Sequence, residues 1–113
     1  MSKYTVLRTA RGLEQAFRPV VLTGIDQDYH VFIVRYSGDY VTHAHDKDEF
    51  VYILEGSLVF ELGRNEMRTE ERVRQGEAIL IPAGTPHRPR CDNTALAMVM
   101  EKRGLQKQMN PSV

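Results

Sequence analysis

At 113 residues, 42% of them hydrophobic and 27% charged, the chain has the composition of one ordinary folded unit. That length allows a single core burying roughly two-thirds of the unfolded surface. Fifteen Lys and Arg balance fifteen Asp and Glu, so charge gives no reason to expect nucleic acid or an anionic membrane as partner. No apolar run has the length of a membrane span or an export signal, and Cys91 has no second cysteine to pair with. The expectation is therefore one cytoplasmic domain over residues 1–113, with its informative core at about 29–101 and peripheral segments at 3–24 and 102–113.

In chain order, residues 3–9 carry Tyr, Val and Leu and suit a short strand, and 11–17 space Leu13, Ala16 and Phe17 for one turn of helix that Pro19 ends. Residues 20–23 form a β-branched run closed by Gly24 and Asp26. Residues 29–36 are the strongest strand. Their centre, Val31-Phe32-Ile33-Val34, is apolar on both faces, so the strand should be covered on both sides. Strands follow at 49–54 and 57–62 around Glu55-Gly56, then at 67–74 and 77–81. The turn Pro82-Ala83-Gly84-Thr85-Pro86 admits no helix; 87–91 resumes an extended path, and 94–101 is the last strand. The tail from Lys102 is polar, contains Pro111 and is expected to fray. Eight or so short strands with Gly or Pro at each turn indicate an all-β sandwich or barrel.

Chemistry concentrates in HAHDKDEFVYILEG, residues 43–56. Side chains of equal parity on a strand share a face, so His43 and His45 point together, and Glu49 joins them if Asp46-Lys47-Asp48 turns without inverting the pattern. Two imidazoles and a carboxylate suit a borderline divalent metal. Further on, Gly76, Pro82 and Gly84 lead into His87, a histidine held at a sharp corner.

Together these stretches resemble the cupin superfamily. Its first motif runs Gly, His-x-His, Glu, Gly, and here Gly38, His43, His45, Glu49 and Gly56 stand in that order. Its second runs Gly, Pro-x-Gly, His, Asn. Gly76, Pro82, Gly84 and His87 match it, while Cys91 stands where the asparagine would be. The resemblance covers residues 38–91 and implies a small double-stranded β-helix, or jelly-roll barrel. It further implies one divalent metal (Fe, Mn, Ni or Zn) on His43, His45, Glu49 and His87, a small-molecule substrate, and a homodimer paired through a sheet.

Competing readings attach to several residues. His43 and His45 also fit a solvated charged loop, but the coincidence with Glu49 and His87 favours the metal. Asp48 is the alternative carboxylate, read as exposed or a helper, and His30 is read as structural or exposed. Cys91 reads as a small buried hydrophobe. Tyr36, Tyr40, Arg88 and Arg90 are candidates for the barrel mouth, and Val51 and Ile53, in phase with Glu49, for an apolar pocket wall. A metalloenzyme with dioxygenase-like oxygen chemistry is favoured. A metal-dependent isomerase or lyase, or a non-catalytic binding or sensor module, would use the same barrel.

Overall fold

The computed structural model describes residues 1–109. It is a nearly all-β molecule: one nine-stranded sheet curls on itself into the expected jelly-roll barrel. The strands are β1 (Val20–Ile25), β2 (Tyr29–Asp39), β3 (His43–His45), β4 (Glu49–Glu55), β5 (Ser57–Leu62), β6 (Thr69–Arg74), β7 (Ala78–Ile81), β8 (His87–Lys102) and β9 (Lys107–Met109). All connected pairings are antiparallel.

β8 is the spine. Where the sequence suggests two strands at 87–91 and 94–101, one sixteen-residue strand runs through, pairing with β2, β3, β4 and β5 in turn. Its odd-numbered residues His87, Pro89, Cys91, Ala95, Ala97 and Val99 are buried, and the exposed Asp92-Asn93-Thr94 marks where it passes from one set of neighbours to the next. The main core, Val34, Val51, Ile53, Leu58, Phe60, Ile81, Ala97 and Val99 among others, fills the barrel below the histidines. Gly56 closes the β4–β5 hairpin at φ +80°, with room for no side chain: a Cβ there would lie 2.4 Å from the Thr94 carbonyl oxygen.

β2 is covered on both sides, as its sequence requires. Phe32, Val34 and Tyr36 face the barrel, while Ile33 packs outward against Ala10 and Leu96 in a second small core. The cover comes from α1 (Val6–Arg11), which overturns the strand expected at residues 3–9. Val6, Leu7 and Ala10 have the i, i+3, i+4 spacing that one helical face needs, and burying that face outweighs the strand preference of Val and Tyr. The helix expected at 11–17 is also absent. Gly12 caps α1, and the chain then runs extended along β2, with Ala16 bridged to Arg35 and the Phe17 amide donating to the Arg35 carbonyl at 2.8 Å. Phe17 sits at φ +62°, which a bulky side chain adopts only when its surroundings impose it. No helix among the described residues is long and apolar enough to cross a membrane.

The expected fraying of the tail fails for its described part. Residues 107–109 form β9 against β3, with His45 opposite Lys107, and Asp46 exchanges two hydrogen bonds with Gln106 (2.7 and 3.0 Å). Pro111 lies outside the described residues.

Candidate metal centre

β3 is only three residues long, and its neighbours hold it in place. His43 lies directly across from His87 on β8, and the Gly84 amide donates to the His45 carbonyl at 2.7 Å. The Asp46-Lys47-Asp48 link keeps the parity that brings Glu49 inward. Asp48 is not inward; its carboxylate accepts from the Ala83 amide at 2.8 Å and so fastens the Pro82–Gly84 corner to the link. The two motif stretches are thus tied to each other by backbone geometry before any ion is considered.

The three imidazoles form one cluster, with ring centroids 4.2 Å apart for His43–His87, 5.0 Å for His43–His45 and 5.1 Å for His45–His87. All three are buried. His43 Nδ1 donates to the Val41 carbonyl at 3.0 Å and His87 Nδ1 to the Thr85 carbonyl at 2.9 Å, which leaves the lone pair of each ring on Nε2. Glu49 reaches them with one oxygen 3.4 Å from His45 Nδ1 and the other 3.9 Å from His87 Nε2. Those two ring nitrogens are buried without a hydrogen-bond partner. Each such orphan costs about 1–3 kcal/mol. Two of them converging on a carboxylate fit a divalent cation, which would satisfy both and neutralise the acid.

Electrostatics follow from burial. It lowers His43 to about 4, against a partial rise from the Val41 carbonyl, and His45 to about 3, helped by the neighbouring imidazoles; His87 is lowered for the same reason. The imidazoles are therefore neutral, as ligands must be. Burial, followed by the charge of Glu101, pushes Glu49 up to about 8. Tyr36 is raised well above its ordinary value, by burial and then by Glu49 and Glu101.

Glu101 is a site residue that the sequence reading does not identify. It lies directly across from Glu49 on β8, and His45, Glu49 and Glu101 offer ligand atoms all within 4.8 Å of one another. Burial raises its pKa as well. The signal was its parity with Ala95, Ala97 and Val99. Lys107, Leu105 and Phe17 were also missed; they line the cavity above the histidines with Phe32, Val34 and Val99.

Several expectations are redrawn. Val51 and Ile53 are fully buried in the core and do not line the cavity. Tyr36 and Tyr40 do line it, Tyr40 standing edge-on to His43 at 5.2 Å and stacked on Phe17 at 5.0 Å. Arg88 and Arg90 point to the other face of β8, where both pair with Glu61. Cys91 is buried, its thiol 3.4 Å from the Ser57 carbonyl. His30 is half-buried, edge-on to Phe32.

The comparisons agree with this architecture. The cupin domain profile matches residues 30–101. Among curated proteins, 3-hydroxyanthranilate 3,4-dioxygenase of Danio rerio is 29% identical over 98 residues, 84% of this chain and 34% of that protein. The chain thus spans about a third of that relative's length. A cupin-2 domain containing protein from Shewanella frigidimarina superposes with a TM-score of 0.78 at 26% identity, over 88% of this chain and 94% of that one. Hydroquinone 1,2-dioxygenase from a Sphingomonas species, with 4-hydroxybenzoate bound, has a TM-score of 0.75 at 18% identity over 88% of this chain and 73% of that one, which bears on fold alone. With the family profile covering well over half its length, the chain belongs to the cupin family.

Proposed function

We propose that the protein is a metal-dependent enzyme carrying out dioxygenase-like oxygen chemistry on a small organic substrate, with His43, His45, Glu49 and His87 holding one divalent ion. The observation that carries the reading is the pair of partnerless ring nitrogens, His45 Nδ1 and His87 Nε2, aimed at Glu49 in a buried pocket. A bound ion such as Fe(II) supplies an electrophilic, redox-capable centre. The chain's own contribution is pre-organisation. The Val41 and Thr85 carbonyls lock two rings in the ligating tautomer, and Glu49 gives up its proton when a cation arrives. Phe32, Val34, Phe60 and Val99 keep bulk water from the space above.

Oxygen chemistry is favoured by the resemblance to 3-hydroxyanthranilate 3,4-dioxygenase. The test is oxygen consumption by the Fe(II)-loaded protein with hydroxylated single-ring aromatics, 3-hydroxyanthranilate and hydroquinone included. Uptake that depends on both metal and substrate supports the reading. Stoichiometric metal with no uptake would move the assignment to a binding or sensor module. Pairing of two copies is part of the same proposal, because the exposed Phe50–Leu80 cross-strand pair and the exposed Val20, Val21 and Ile25 of edge strand β1 leave apolar surface uncovered. Light scattering at micromolar concentration should give twice the chain mass; the monomer mass would refute it.

A further inference from the structure

Among the described residues, two pairs of glutamates stand directly across from each other on neighbouring strands. Glu61 faces Glu70 between β5 and β6, and Glu49 faces Glu101 between β4 and β8. Like charges directly opposite on a sheet, with Cβ atoms about 4.5–5.5 Å apart, are destabilising unless something positive lies between them. The first pair has its cation: Arg90 on β8 pairs with both Glu61 and Glu70, and Arg68 and Arg88 add to it. The second pair does not. Among the described residues no Lys or Arg side chain comes within 4 Å of Glu49 or Glu101, and Lys107 acts on both only from farther off.

The unbridged pair belongs to the histidine cluster. Glu101 lines the same cavity as His43, His45 and His87, on the strand that also carries His87. His45 is 7% exposed, and its Nδ1 is buried without a hydrogen-bond partner. The ligand atoms of His45, Glu49 and Glu101 all lie within 4.8 Å of one another. Donor atoms about 2.0–2.2 Å from a single ion lie up to ~4.4 Å apart, so a small closing movement would put all three on it.

We infer that Glu101 is a fifth ligand of the ion, and that the ion bridges Glu49 and Glu101 as Arg90 bridges Glu61 and Glu70. This inference rests on the metal reading above and deepens it. Two carboxylates and three neutral imidazoles balance the charge of a divalent ion. A second oxygen donor also biases the choice of metal. Carboxylates suit Mn(II), which prefers an octahedral shell, whereas Zn(II) is satisfied by four ligands.

The test is titration of the wild type, Glu101→Gln and Glu61→Gln with Mn(II) and with Zn(II), each in competition with a chelator of known affinity. Ions per chain are counted by elemental analysis, and folding is followed by circular dichroism. The wild type should hold one ion per chain. Glu101→Gln should lose more Mn(II) affinity than the ~10–100-fold that a merely supporting residue costs, and clearly less Zn(II) affinity. Glu61→Gln should keep both. A Mn(II)-loaded crystal of the wild type gives a second reading that needs no variant, with a Glu101 oxygen at bonding distance from the ion. Unchanged or equal losses for the two metals in Glu101→Gln, a Glu101 carboxylate turned away from the ion, or two ions per chain would overturn the inference and leave the four-ligand reading standing. A wild type that takes up neither metal would overturn both.

Discussion

Two buried acids on opposite faces of the sheet have opposite surroundings. Glu61, on β5, is buried to 8% side-chain exposure and meets Arg68 at 3.2 Å, Arg88 at 3.1 Å and Arg90. Burial alone would raise its pKa, yet the arginines, Arg88 foremost, hold it below the ordinary range. Glu49, on β4, is buried to 12% and, among the described residues, meets no Lys or Arg side chain within 4 Å. It faces two neutral imidazoles and a second acid, Glu101, and burial drives it up to about 8. The first acid has its cations supplied by the chain. The second has no such close partner among the described residues, and that difference separates a structural ion cluster from a candidate binding site.

The largest test of the contrast is on metal affinity. Glu49→Gln should weaken Zn(II) binding by more than the ~10–100-fold that loss of a supporting hydrogen bond costs at a metal site, whereas Glu61→Gln should leave it within about threefold. Competition against a chelator of known affinity measures both, and equal losses in the two variants would erase the contrast.

Next in size is stability without metal. Glu61→Gln leaves arginines around an uncharged amide and should cost about 1–3 kcal/mol in chemical denaturation. Glu49→Gln removes an acid that opposes Glu101, so at pH 8 the metal-free variant should be at least as stable as the wild type. A cost there equal to that of Glu61→Gln would mean that Glu49 has a stabilising partner in the metal-free fold.

Much of this contrast is legible in the sequence, and the part that is not has a physical reason. His43, His45, Glu49 and His87 are found by strand parity and motif spacing because short-range geometry sets where a strand side chain points. Glu101 obeys the same parity along β8, but its importance depends on register with β4, which no local pattern reveals. Lys107 is hidden by a polar tail whose order comes from pairing with β3 and from Asp46, sixty residues earlier. The misread N-terminal segment shows tertiary burial overriding propensity: Ile33 and Leu96 offer an apolar face that a helix covers. Nothing local in the Ser57–Leu62 strand marks Glu61; its role appears only when β8 brings Arg88 and Arg90 beside it.

The smallest effect is the pH dependence of the metal-free fold, which sharpens the contrast further. The imidazoles titrate lower when folded, His43 at about 4 and His45 at about 3 against 6.5 unfolded, so the folded state binds fewer protons and stability rises with pH up to about 6.5. Glu49 titrates higher when folded, at about 8 against 4.5, so the folded state keeps its proton longer and stability falls as pH rises to about 8. The imidazoles prevail on the acid side, the carboxyls alone remain above, and the optimum should lie near pH 6.5. Glu49→Gln should flatten the alkaline limb, and Glu61→Gln should leave it in place. A wild-type stability that continues to climb from pH 6.5 to 8 would contradict the buried-acid description of Glu49.

Elemental analysis of protein purified without added metal, the wild type beside the His43→Ala/His87→Ala double variant, bears most directly on the central claim. The wild type should carry close to one divalent ion per chain and the double variant a background level, with the strand signal in circular dichroism retained. Wild-type metal content in a folded double variant would contradict it.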